Sequence, residues 1–204
     1  MARRPILPWA DGAIARRPVL AGIFVGGRSS RMGTTKGLLR APGEARTLVA
    51  RAADIFRALG VPVALVGEHA EYTHMGLPML PDAFSGIGPL GGLVALLAAN
   101  PTGDVIACAC DLPYVSEALA KMLLAAPPAR AVTPVAEGVL QPLFARYAAD
   151  EVLPIARRRG EDATRGGSPA LQGLLAEVGA TPLALTLEQE AELRDWDSPS
   201  DVER

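Results

Sequence analysis

Lys36 is one of only two lysines in a chain that carries eighteen arginines, and it lies in a segment whose residue types fit one kind of chemistry. The segment runs Gly26-Gly27-Arg28-Ser29-Ser30-Arg31-Met32-Gly33-Thr34-Thr35-Lys36-Gly37, directly after the apolar run Val19 to Val25. Glycines let backbone N–H groups converge on an anion with no Cβ in the way, and Arg and Lys add charge for phosphate oxygens. An ammonium supplies a compact point charge where a guanidinium supplies a planar fork. A buried strand that opens into such a loop is a candidate cradle for a nucleoside triphosphate. It is not a P-loop, because Gly33 is followed by Thr34 where that motif requires Lys after its second glycine.

Acidic residues supply the other half of the chemistry. Asp111 ends the apolar run Val105 to Cys110 and is followed by Leu112-Pro113. Open α/β sheets bind ligands at the carboxyl ends of their strands, so an Asp there can hold Mg2+ against triphosphate oxygens; the plainer alternative is a loop or helix-capping Asp. Asp82, after a short apolar stretch, can accept hydrogen bonds from a base or ribose. Asp195 and Asp197 flank Trp196 and alternate onto one face, where one of them could complete a divalent-metal site. Gly86-Ile87-Gly88-Pro89-Leu90-Gly91 matches a dinucleotide-binding pattern, but Asp82 to Ser85 separate it from the preceding strand and it lies in mid-chain. Cys108 and Cys110 read as buried thiols on one strand face, and His69 and His74 support no ligand cluster. Arg157-Arg158-Arg159 reads as a solvated helix face.

These residues need a scaffold, and 204 residues, half of them hydrophobic, allow one compact domain. We expect an irregular extension over residues 1–17 and a single domain over 18–204. Strands are expected at Val19–Val25, Val61–Val66, Leu77–Leu80, Val105–Cys110, Ala131–Val135, Leu140–Tyr147 and Leu183–Leu187. Helices are expected near 48–59, 89–99, 116–124, 151–159 and 171–178, with a short one from Ser198. Continuous apolar strands separated by helices indicate a mostly parallel sheet covered on both faces. A net charge of −2 draws the chain neither to nucleic acid nor to an anionic membrane. The longest apolar run, Leu90 to Ala99, is half of what a bilayer span needs, and Arg16-Arg17 lead into Gly-Gly-Arg, not a cleavage site, so we expect a cytoplasmic protein.

In order along the chain, five blocks resemble the molybdenum cofactor guanylyltransferases. Val25-Gly26-Gly27-Arg28-Ser29-Ser30-Arg31-Met32-Gly33 with Lys36 is similar to the family's opening signature. Asp82 followed by Gly88-Pro89-Leu90-Gly91-Gly92-Leu93, Cys110-Asp111-Leu112-Pro113-Tyr114, Gln141 to Tyr147, and Asp195-Trp196-Asp197-Ser198-Pro199 follow. The resemblance implies a three-layer α/β/α, Rossmann-like nucleotidyltransferase domain. It also implies transfer of GMP from GTP to the phosphate of molybdopterin or molybdenum cofactor, with release of pyrophosphate. Arg31, Lys36 and Asp111 would be catalytic. Phe24, Val25, Gly26, Gly27, Arg28, Ser29, Gly33, Lys36, Asp82, Gly88, Pro89 and Leu90 would bind the nucleotide. Asp111, Asp197 and Asp195 would hold Mg2+, for which Mn2+ could substitute.

The implied partners are GTP and molybdopterin, with molybdoenzymes or other cofactor-biosynthesis proteins beside them, and a monomer or weak homo-oligomer. Val25 stands where the family has Ala, Thr35 where it has Asp before the lysine, and Ala64-Leu65-Val66-Gly67 holds no counterpart of its Asn. The departures bear on nucleobase choice, and leave cytidylyl transfer to the same pterin, or a non-catalytic binding protein, as the alternatives.

Overall fold

The computed structural model describes residues 17–25, 36–40 and 44–196, Lys36 by its backbone alone. At its centre lie strands that carry almost nothing but apolar residues: β1 (Val19–Phe24), β2 (Val63–Val66) and β4 (Asp104–Ala109). With the short β3 (Met79–Leu80) they pair in parallel. Side chains alternate between the two faces of a strand, so a run apolar at every position must be covered on both. Ile23, Leu65, Ile106 and Cys108 enter one core, and their neighbours Phe24, Val66, Val105 and Ala107 enter the other. The first core is closed by α1 (Leu48–Ala58) and α3 (Glu117–Ala125). The second is closed by α2 (Pro89–Ala99), α4 (Ala149–Thr164) and α5 (Leu171–Val178). The result is the expected three-layer α/β/α arrangement.

Strand order is β3-β2-β1-β4-β7-β5-β6, with β8 beside β5. The parallel half is the half the sequence predicts. The other half differs, because β7 (Phe144–Ala148) runs antiparallel to both β4 and β5 (Ala131–Ala136). The expected strand Leu140–Tyr147 is divided into β6 (Val139–Leu140) and β7. Pro142 has no N–H for a ladder, and the Gln141 amide divides between the Thr133 hydroxyl and the Pro134 carbonyl, at 3.0 Å each, while its carbonyl accepts from the Thr133 hydroxyl at 2.9 Å and the Phe144 amide at 3.1 Å.

The last expected strand is displaced as well: β8 is Thr181–Leu183, parallel to β5, and Leu187 opens helix α6 (Leu187–Ala191). Thr186 caps that helix, and Gln189 returns the bond to the Thr186 amide in a reciprocal box. Helix α4 exceeds the expected 151–159 at both ends, and a 3-10 turn over Ala70–Met75 was not anticipated. The helix expected from Ser198 lies outside the described residues. Among the described residues no helix is long and apolar enough to cross a membrane.

Candidate functional site

From β1 the chain builds outward through β2 and β3, then returns to add β4 on the other side of β1. Such a reversal opens a crevice beyond the carboxyl ends of the two central strands, where doubly wound sheets bind ligands. The two ends are level here. Phe24 pairs with Ala109 and with Val66, the Cys110 amide donates to the Phe24 carbonyl at 3.2 Å, and the Val25 amide donates to Val66 at 3.0 Å. Phe24 and Val25 are buried, their side chains in opposite cores. What they turn toward a ligand is therefore backbone. Gly26, Gly27, Arg28, Ser29, Arg31 and Gly33 lie outside the described residues; the chain is described again from a 3-10 turn, Lys36–Leu38.

Asp82 reaches the same edge from the end of β3. It sits against the first turn of α2, where two glycines allow the approach. A Cβ on Gly91 would run into the Phe84 carbonyl oxygen, and one on Gly92 would stand 2.7 Å from Val66 Cγ1 and 3.1 Å from Asp82 Oδ1. The Ala83 amide donates to the Gly91 carbonyl at 3.1 Å and ties the loop to the helix. Gly88 precedes the helix with φ of 72°, a conformation that favours glycine, and Pro89 follows at the first helical position. Leu90 is wholly buried, so like Phe24 it can offer only backbone. The Asp82 carboxyl is pushed above its ordinary pKa, first by partial desolvation and then by the charge of Glu68.

Asp111 follows β4 across the crevice and is half-buried. Its carbonyl oxygen accepts from the Trp196 amide at 3.1 Å, which brings exposed Asp195 to the same strand end. Trp196 is buried against Leu48 and Leu39, with Tyr114 edge-on to its indole at 6.4 Å between ring centres. Asp197 lies outside the described residues. No group of three or more His, Cys, Asp or Glu gathers among the described residues; a Mg2+ site built on one or two carboxylates needs none. Cys108 lies in the first core with Cys110 packed against it, no disulfide joins them, and burial pushes the Cys108 thiol far up. His69 and His74 lie in or beside the 3-10 turn, and neither joins a cluster of metal-ligating side chains among the described residues.

A cavity of about 360 Å3 opens beside Asp195, with Glu137, Gln141, Glu190 and Arg194 on its walls. A larger one, about 760 Å3, lies at the opposite end of the sheet. There, sequence reasoning missed a buried charge cluster: Arg146 pairs with Asp104 at 3.7 Å and donates to the Leu124 and Pro127 carbonyls, and Arg17 joins Asp104 at 3.1 Å. Burial holds the Asp104 carboxyl above its usual range, against the opposing charge of Arg146, and lowers Arg146.

Residues 21–178 match the MobA-like NTP transferase domain family, a span that covers β1 through α5 and both crevice-forming strand ends. The chain belongs to that family. The probable molybdenum cofactor guanylyltransferase of Opitutus terrae is 31% identical to this chain over 198 residues, 93% of this chain and 96% of that protein. The one from Pelotomaculum thermopropionicum is 35% identical over 127 residues, 61% of each chain; the one from Carboxydothermus hydrogenoformans is 32% identical over 126, 63% of its own length. The chain thus spans about three-fifths of those two relatives. In fold it is similar to the molybdopterin-guanine dinucleotide biosynthesis protein A of Archaeoglobus fulgidus, with a TM-score of 0.72 at 17% identity over 91% of this chain and 95% of that one.

Proposed function

We propose that this NTP transferase moves GMP from GTP onto the terminal phosphate of molybdopterin, bare or molybdate-loaded, and releases pyrophosphate. The observation that carries the reading is the meeting of Asp111 and the Asp195 segment at the β1/β4 strand ends, joined by the Trp196 amide. An acceptor phosphate oxygen attacks the α-phosphorus in line, the bond from that phosphorus to the bridging oxygen breaks, and pyrophosphate departs with the electron pair. A phosphate is already anionic at neutral pH, so the step needs no general base.

Catalysis then consists of positioning and charge neutralisation. Asp111 and Asp195 are hard oxygen donors brought to one strand end, which suits Mg2+, and with Asp197 they are the residues that would hold it. When bound, the ion neutralises charge on the triphosphate. Lys36, Arg31 and amides of the loop after β1 would bear the departing pyrophosphate, and Asp82 the guanosine. The names of the relatives support GTP and molybdopterin as substrates. The same reading carries a cytoplasmic location and molybdoenzymes or cofactor-biosynthesis proteins as partners.

The test is release of pyrophosphate from each of the four nucleoside triphosphates, with Mg2+ and molybdopterin. GTP should be preferred. Preference for CTP would reassign the nucleobase, and no release from any of the four would leave a binding protein.

A further inference from the structure

Tyr72 is wholly buried, and the transfer chemistry leaves it without a task. It stands in the 3-10 turn between β2 and β3, its ring among the core residues under α1. Its hydroxyl meets no partner of hydrogen-bonding geometry among the described residues. What it lies against is Gly37, itself buried. A Cβ there would run into the hydroxyl oxygen and come within 3.2 Å of Tyr72 Cζ.

Gly37 directly follows Lys36. Burial holds the hydroxyl firmly protonated, the charges of Cys110 and Glu71 act in the same direction, and the nearby Gly37 amide opposes them. The oxygen therefore sits beneath the segment carrying Lys36.

A phenylalanine would fill the same core volume without burying an oxygen. An unpaired buried hydroxyl costs stability, and such local conflicts between sequence and packing concentrate at functional sites. We propose that the Tyr72 hydroxyl is a positioning group: by its packing against Gly37 it seats the backbone at Lys36–Gly37 and so sets where Lys36 meets the triphosphate. Bulk at Gly37 is excluded for the same reason. The inference rests on the transfer reading, and within it on the phosphate role of Lys36.

The test is a double-mutant cycle on the full chain with Tyr72→Phe, Lys36→Ala and both together. GTP affinity is measured by calorimetry with Mg2+, beside kcat, KM and the melting temperature. Tyr72→Phe should weaken GTP roughly three- to tenfold, the range for a change that acts on a site through packing contacts, with no fall in melting temperature. In the Lys36→Ala background the same change should have no further effect, since a group that acts through Lys36 has nothing left to position.

Additive losses, wild-type affinity in Tyr72→Phe, or a fall in melting temperature that accompanies the loss would each make Tyr72 a packing residue and overturn the inference alone. If Lys36→Ala binds GTP as wild type does, the phosphate role of Lys36 falls and the inference with it. If the wild-type chain binds no triphosphate, the transfer reading itself falls.

Discussion

The Trp196 amide donates to the Asp111 carbonyl oxygen at 3.1 Å, so the last described residue of the chain is tied to the end of β4. The bond uses backbone on both sides. Its durability depends on the indole, which is buried with Leu48 and Leu39 in a small cluster apart from the two main cores.

Trp196→Ala should therefore cost more than packing. Removing a buried aromatic typically costs about 3–5 kcal/mol, and a site at the end of a chain can relax toward the low end of that range. Turnover should fall with it, because Asp195 loses its support. Urea denaturation and pyrophosphate release on the same sample measure both effects, and Trp196→Phe should recover part of each.

Asp111→Asn keeps the backbone carbonyl and so keeps the bond to Trp196. We expect an unchanged circular dichroism spectrum and a rate reduced on the order of 10²- to 10³-fold, by analogy with deletion of an oxyanion donor. Normal turnover in this variant would remove Asp111 from the mechanism.

Gly92→Ala places a methyl 2.7 Å from Val66 Cγ1, 3.0 Å from Phe24 Cε1 and 3.1 Å from Asp82 Oδ1. Overpacking of this kind usually costs about 1–3 kcal/mol. The displaced carboxyl should also weaken GTP, whereas Gly60→Ala, with nothing within 4 Å of its Cβ, should leave GTP affinity unchanged. Calorimetric titration of both variants separates the site effect from a general loss of stability.

Asp82→Asn should change how stability depends on pH. The folded-state pKa of Asp82 is raised above the ordinary 3.8, so its neutral form is favoured by folding. That contribution is fully present below the unfolded pKa and is lost as pH rises through the folded one. The amide removes this loss. The variant's melting temperature should exceed that of wild type by a small margin at neutral pH, small because Asp82 as a residue is exposed. The same variant should bind GTP less well if the carboxylate holds the guanosine.

The central strands and the first helix were legible in the sequence, for reasons that are local. A strand buried on both faces must be apolar throughout, as Val63 to Val66 and Val105 to Ala109 are. Helix α1 carries its apolar residues at helical spacing, with Thr47 as its cap and Gly60 past its end. The small helix α6 was equally legible, since Thr186 and Gln189 have the spacing of a capping box. The apolar residues around Leu185 masked it.

By itself, then, the sequence determined the apolar strands, the glycine-rich exit from β1 and the acidic residue at the end of β4, because each is written in neighbouring residues. The direction of β7 was decided only in three dimensions: hydrophobic pattern is the same read either way along a strand. So were the contacts of Asp111 with Trp196, of Tyr72 with Gly37 and of Arg146 with Asp104. Each joins residues far apart in the chain, and such pairs come together only where packed layers bring distant surfaces into register.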